Sequence, residues 1–415
     1  MQLGYDTTTQ LPFSISSQDR TRHLALFGKT GTGKTTVLER LIAQDIRDGR
    51  GLCVLDPHGE LAEAVLSHVP KNRWNDVIYF NPAEGRVPPI NLFEVNGHTS
   101  HIVSSLVRII KNIWPDYWGP RSEWLLTNLA FALLQQQHPV SIVSLYKLMT
   151  DRGVYKRRVV AQVKDPALIR FFAEYDHWTK PFREQVVTPL LHKVSAFVQN
   201  EYLRMVMGQS WTNFKFRWMI DNRKIFIANL SKGKLGDDVS SLIGSAVFTK
   251  IAIAALSRED TKDRPQFTVY ADEVQNFIHG VNFPSVLSES RKYGLEMVIA
   301  TQTIAGLGND ATEAIFGNCG TILTFQTGGE DAKRLQLEFG DIYPSRTFIE
   351  TDKWEAWVRS LKSGHPTKPY LIRTLAPDPS GKAHGYVRRL KAHSLRRWGR
   401  PKEKIKAKID RFLRS

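Results

Sequence analysis

Cysteine is nearly absent from this 415-residue chain: Cys53 and Cys319 are the two it has, too few for a disulfide framework and in keeping with a reducing compartment. Each stands in an apolar, strand-like context, which marks it as a core residue rather than a nucleophile. No uninterrupted apolar run reaches the ~20 residues that a bilayer crossing needs. The nearest, 242–256, is short and interrupted by Lys250. The opening MQLGYDTTTQ carries neither the basic nor the apolar region of a secretory signal, so the expected location is the cytoplasm. Histidines such as His58, His98, His101 and His192 are scattered without the Cys or carboxylate spacing of a zinc site, which argues against nuclease chemistry. Internal repeats are missing as well.

Acidic residues are in deficit. Against 57 Lys and Arg stand 41 Asp and Glu, a formal charge of +16 and a pI near 9.7, which points to a polyanionic partner such as nucleic acid or an acidic membrane surface. The excess is concentrated in 388–415, where twelve Lys or Arg face only Glu403 and Asp410. From Lys402 onward Ile405, Ile409, Phe412 and Leu413 fall on one helical face opposite lysines. The stretch 388–415 thus reads as a basic amphipathic tail, either a solvated face or a binding element for DNA or anionic lipid. Apolar residues at 42% and charged ones at 24% are otherwise ordinary for a folded chain, whose length suits two or three domains of roughly 100–200 residues.

Short β-branched and apolar runs at 23–27, 52–55, 77–80, 225–230, 267–271, 297–300 and 321–325 alternate with helical segments, the pattern of a mainly parallel sheet covered on both faces. The class is α/β. Between 97 and 218 the strand signal stops and apolar residues recur at helical spacing, as at Leu126, Leu129, Leu133 and Leu134, with prolines 115, 120, 139, 166, 181 and 189 as punctuation. This predicts an all-α domain, 97–218, inserted into a nucleotide-binding core made of 1–96 and 219–387. Its aromatics (Trp114, Tyr117, Trp118, Trp124, Phe171, Phe172 and Trp178) are expected to pack between helices rather than stack on bases. After Asp341, 354–361 and 370–375 predict a hairpin pair.

The strongest motif is Gly28-Lys29-Thr30-Gly31-Thr32-Gly33-Lys34-Thr35, a complete P-loop placed after a strand and before a helix. Its glycines let successive N–H groups turn toward phosphates at a positive helix end, with Thr30, Gly31, Thr32, Gly33 and Thr36 alongside. Lys34 is expected on the β and γ phosphates of ATP, and the Thr35 hydroxyl on Mg²⁺. Asp272 and Glu273 end the apolar run 267–271. Of the two, Asp272 is expected to hold the metal and Glu273 to polarise the attacking water. Gln302 ends another strand, where it could sense the γ-phosphate. Asp56 at a further strand end is left between capping the next turn and touching nucleotide.

Together with Asp56-Pro57-His58-Gly59, Asn81-Pro82, Asn91-Leu92-Phe93, Leu230-Ser231-Lys232-Gly233 and Arg291-Lys292-Tyr293-Gly294, these motifs resemble the HerA and FtsK superfamily. Within it the likeness is to the conjugative coupling ATPases of type IV secretion, the TraG- and TraD-like proteins, from about residue 1 to 377. The resemblance implies a RecA-like core with an all-α insert, a homohexameric ring around DNA with ATP sites between subunits, and relaxase and secretion-channel proteins as partners. Coupling proteins usually begin with membrane-spanning helices, which are not seen here, so recruitment to the inner membrane is expected through a partner or the basic tail. Relatives tend to carry an arginine finger near the strand matching 321–325, where this chain has Gln326-Thr327-Gly328-Gly329. Arg291 and Arg334 are the nearest alternatives, a surface ion pair being the competing role for each. Lys232 and Lys234, after a core strand, are candidates for DNA phosphate contact on the inner surface of the ring, or else for an exposed turn. Two further functions fit the residues: a HerA-like translocase for DNA-end processing or defence with a nuclease partner, and an ATP-switched substrate receptor.

Overall fold

The computed structural model describes residues 1–94, 99–113, 118–151, 153–210, 212–278, 282–362 and 364–415; His98, Trp114, Pro115 and Tyr117 lie outside them. The central feature is an 11-stranded sheet. Its strands are β1 (Gln2–Asp6), β2 (Pro12–Ser14), β3 (Leu24–Phe27), β4 (Gly51–Asp56), β5 (Val77–Phe80), β6 (Ile225–Asn229), β7 (Phe267–Ala271), β8 (Leu295–Thr301), β9 (Thr321–Thr324), β10 (Glu355–Arg359) and β11 (Tyr370–Thr374). They lie in the order β2-β1-β11-β10-β9-β3-β8-β7-β4-β6-β5. From β9 to β5 every pairing is parallel. These are the seven apolar runs of the sequence, and each is buried along its length because helices cover both faces.

The other four strands extend the sheet in antiparallel sense beyond β9. Among them β10 and β11 form the expected pair, with Trp357 opposite Leu371. Strands β1 and β2 have no sequence signal of their own: QLGYD and PFS contain a glycine and a proline, and pairing holds them in place, β1 on β11 and β2 on β1.

Eight helices among the described residues run from Thr99–Ile113 to Phe216–Asp221. Prolines 120 and 166 start helices, the second behind Asp165, whose carboxylate accepts from the Ala167 and Leu168 N–H groups. Pro189 does not break the chain as expected but lies inside the helix Lys180–Gln199. That helix buries Val186, Val187, Leu190, Val194 and Phe197, and packing of this extent outweighs the ~3 kcal/mol a proline costs there. The aromatics pack on one another: the Trp124 and Trp178 rings stack at 5.9 Å, and Trp124 meets Phe171 edge-on at 5.2 Å.

The basic C-terminal stretch differs from the expected tail. Residue 388 falls inside the helix His384–Trp398, which covers the edge strand β5: Ser394 Oγ and Trp398 Nε1 both donate to Val77 O, and Tyr79 N donates to Ser394 Oγ. Covering an edge removes a row of unpaired backbone groups, so this helix is part of the core. The last helix, Lys402–Arg414, buries Ile405 and Ile409 and seats Phe412 edge-on against Tyr155 at 5.3 Å. Its apolar face, which a bilayer would have needed, is thus packed on the helical region, and Lys404, Lys406 and Lys408 are exposed.

Candidate functional site

Because β3, β8, β7 and β4 run parallel, the loops that leave their C-terminal ends meet at one edge of the sheet. Strand β3 delivers the P-loop and then the helix Lys34–Arg47. Two glycines explain the loop's path. Gly28 has φ 149° and Gly33 φ 129°, and a Cβ on Gly28 would lie 2.6 Å from the Phe325 Cβ, while one on Gly33 would lie 3.1 Å from both Phe325 and Trp354 rings. No residue larger than glycine fits either place. The loop is fastened from below: Lys29 N donates to Gln326 O at 2.8 Å and Gly28 N to Thr301 O at 3.3 Å.

Thr30, Gly31, Gly33, Lys34, Thr35 and Thr36 line a cavity of about 490 Å³, and Asp56, Asp272, Glu273 and Gln302 face it from the neighbouring strand ends. Lys34 Nζ donates to the Gly28 and Lys29 carbonyls. Burial lowers the pKa of its ammonium, and the Glu273 and Asp272 carboxylates oppose that shift. Asp272 is pushed up to about 7, first by burial and then by the charges of Glu273 and Asp56, with Lys34 pulling the other way. Its Oδ1 is buried with no hydrogen-bond partner. The orphaned Asp272 oxygen, in the cavity that Thr35 also lines, suits a divalent cation held through few protein oxygens. No group of three or more His, Cys, Asp or Glu converges among the described residues; a Mg²⁺ held through one or two oxygens and a phosphate requires none.

Glu273 adopts a left-handed conformation, φ 49°. Its Oε2 accepts from Gln275 Nε2 at 2.8 Å and from the Gln302 N–H at 3.1 Å. The end of β7 is thereby tied to the end of β8, through the two residues that would meet water and γ-phosphate. Asp56 takes the capping place: its oxygens accept from His58 N and Ala62 N, both at 2.8 Å, while its charge still reaches Asp272.

The remaining candidates separate. Lys232 and Lys234 sit in a short helix on the same sheet edge, tied to the Asp56 loop by Leu230 N to Asp56 O and Lys232 N to Pro57 O, each 2.9 Å. Lys232 Nζ donates to Asn276 at 3.0 Å, and Lys234 is exposed. Arg291 precedes β8 and is exposed at the opposite edge, beside Arg22 and Arg359. Arg334 pairs with Glu338 at 2.8 Å on its own helix. Neither arginine reaches the cavity of its own chain.

Lys353 and Trp354 also line the cavity, and no motif in the sequence announced them. The signal, a Lys-Trp pair before a strand, reads as the strand's first residues. What places Trp354 is a backbone with φ 70°, invisible in composition.

The family model of the type IV secretion-system coupling protein DNA-binding domain matches residues 7–343. The chain belongs to this coupling-protein family. Its fold is shared with solved members: the bacterial conjugative coupling protein TrwBdeltaN70 in complex with sulphate is similar at 16% identity and a TM-score of 0.66, covering 92% of this chain and 93% of that one. The plasmid coupling protein TrwB with ADP and Mg²⁺ is similar at 16% identity and 0.64, again over 92% and 93%. VirB4 of Thermoanaerobacter pseudethanolicus follows at 14% identity and 0.59, over 91% and 96%. A comparison with curated proteins returns no match. The coupling-protein fold is a RecA-like α/β core bearing helical additions, as the sequence motifs imply.

Proposed function

We propose that this coupling-family chain is an ATP-driven DNA translocase, a homohexameric ring that moves DNA during conjugative transfer. The observation that carries the reading is the convergence of Lys34, Asp272, Glu273 and Gln302 on one cavity at the C-terminal edge of the sheet. TrwB has been solved with ADP and Mg²⁺ and with non-hydrolysable ATP and GTP analogues, which supports nucleotide as the occupant.

In this reading the loop N–H groups and Lys34 bind the β and γ phosphates, the ammonium exchanging the Gly28 and Lys29 carbonyls for phosphate oxygens. Thr35 Oγ1 and Asp272 would hold Mg²⁺, which when bound neutralises charge on the phosphates. Glu273 takes the proton of the attacking water as its oxygen bonds to the γ-phosphorus and the bond to the β-phosphate oxygen breaks, giving ADP and phosphate. Because the Glu273 carboxylate also holds the Gln302 N–H, any movement of Glu273 toward water pulls on the end of β8. Hydrolysis is thereby linked to the sheet edge that carries Lys232 and Lys234, which contact DNA phosphates without reading bases, as a motor that must step past every sequence requires. An arginine from an adjoining subunit completes the charge on the phosphoryl group; exposed Arg291 suits that role better than the paired Arg334. Relaxase and channel proteins are the proposed partners, with recruitment to the inner membrane through one of them.

The test is ATP turnover with and without single- and double-stranded DNA, for wild type and Lys34→Ala. DNA should stimulate the wild type, and the variant should lose nearly all activity. Turnover indifferent to DNA would leave an ATP-switched receptor rather than a motor.

A further inference from the structure

Trp354 is the one aromatic side chain among the described residues that line the nucleotide cavity. It is held there against its backbone preference. A φ of 70° is rare for a bulky residue, and such conformations persist where surrounding bonds enforce them. Here three do: Trp354 N donates to Thr32 O at 3.0 Å, and Trp354 O accepts from Thr374 N at 2.8 Å and from Thr374 Oγ1 at 2.9 Å. The first bond joins the residue to the P-loop itself. The left-handed turn interrupts the alternation of β10, which begins one residue later, and directs the indole to the loop instead of the sheet.

The ring lies against Gly33, at the start of the helix that carries Lys34, Thr35 and Thr36, and it remains half-buried, with surface left to contact an occupant. Lys353 is exposed beside it with Nζ 5.0 Å from the indole centroid. The phosphate end of the cavity is furnished with Lys34, Asp272 and Glu273. A nucleotide whose phosphates lie there extends its base past Thr36, where a flat π surface and an exposed cation are the groups on offer.

Resting on the nucleotide reading, we infer that Trp354 and Lys353 form the platform on which the nucleobase stacks, so that this chain recognises the face of a purine rather than its hydrogen-bonding edge. Face recognition favours adenine and guanine nearly alike, since each presents an extended π surface. The platform is a binding element and takes no part in the phosphoryl chemistry. Its removal raises KM for ATP and for GTP and leaves kcat in place, the mark of an interaction equally strong in ground and transition states.

Calorimetric titration of ADP, GDP and inorganic tripolyphosphate, each with Mg²⁺, into wild type, Trp354→Phe, Trp354→Ala and Lys353→Ala tests this. Trp354→Ala should weaken ADP and GDP by roughly ten-fold, toward the lower end of what one stacked base contributes, and leave tripolyphosphate unchanged; Trp354→Phe should restore most of the loss, and Lys353→Ala should show a smaller one. If tripolyphosphate weakens in step with ADP, the indole is a prop for the P-loop and the inference is overturned. If neither ligand responds, the indole is idle and the inference fails likewise. A wild type that binds none of the three would instead sink the nucleotide reading on which the inference rests.

Discussion

Two clusters of buried charge sit on the same pair of strands, at their opposite ends. Toward the start of β7 and β8, Arg20 lies between Asp45 at 2.6 Å and Glu296 at 2.8 Å. Tyr270 Oη donates to Asp45 at 2.6 Å, Thr268 Oγ1 to Glu296 at 2.5 Å, and Arg50 stands near both acids. Burial works against the Arg20 charge, but Tyr270, Asp45 and Glu296 more than offset it and raise its pKa. Two acids meet two guanidinium groups, and only Glu296 Oε2 lacks a bond. At the far end of the same strands, Asp272 and Glu273 share the single ammonium of Lys34, and the charge of Asp56 adds to that on Asp272. The helix Lys34–Arg47 joins both clusters, with Lys34 at one end and Asp45 near the other. The difference teaches how to tell structure from function in a buried polar group: charge that is matched within the chain fixes the fold, and charge left unmatched awaits an occupant.

The largest expected effect comes from the unmatched end. Glu273→Gln should cut DNA-stimulated turnover by ~10²–10⁴-fold, the usual worth of a general base, with nucleotide affinity retained; equal turnover in the variant would remove Glu273 from the mechanism. Next, Arg20→Met leaves Asp45 and Glu296 buried without their central partner and should lower unfolding free energy by ~3–5 kcal/mol in urea titration. The surviving folded fraction should turn over ATP normally. Loss of activity without loss of stability would erase the contrast between the clusters.

A smaller effect, and of opposite sign, is expected for Asp272→Asn. In the nucleotide-free fold the Asp272 carboxyl holds its proton up to about 7, against an ordinary 3.8. Between those values the native chain binds a proton that the unfolded chain has released, so stability falls as pH rises through that window. The variant should lose this decline and gain ~1–3 kcal/mol near pH 8, as a buried carboxylate is replaced by a neutral group, while binding of Mg²⁺-ATP weakens. Thermal unfolding from pH 4 to 8, with and without Mg²⁺-ADP, measures both. The smallest effect belongs to exposed Lys234: Lys234→Ala should reduce the slope of log affinity for DNA against log salt by about 0.9, one phosphate contact, with ATP affinity unaltered. An unchanged slope would place Lys234 off the DNA path.

Much of the parallel core was legible because burial on both faces writes itself as continuous apolar runs, and the acids and glutamine of the cavity stand directly after two of them. The P-loop was legible because no other composition turns a backbone that tightly around phosphates. Strands β1 and β2 were not, since pairing of β1 to β11 and of β2 to β1, rather than their own residues, makes them strands. Trp354 and Lys353 were not, since a left-handed φ at a tryptophan depends on the bonds to Thr32 and Thr374, which come from distant segments. The spacing of the last helix makes it amphipathic and basic, yet that spacing does not say which surface its isoleucines cover.

The sequence by itself determined the alternation of strand and helix, the phosphate-wrapping loop and the order of the strand-end side chains, because these follow from local periodicity and from what glycine, lysine and carboxylate can do. Only the tertiary structure decided that Asp56 caps a turn, that Arg291 and Lys34 lie at opposite edges, that the basic helix is docked on protein, and that one cluster of charge is balanced and the other is not. Those outcomes depend on which residues far apart in the chain become neighbours, and burial makes the difference between a matched and an unmatched charge large enough to matter.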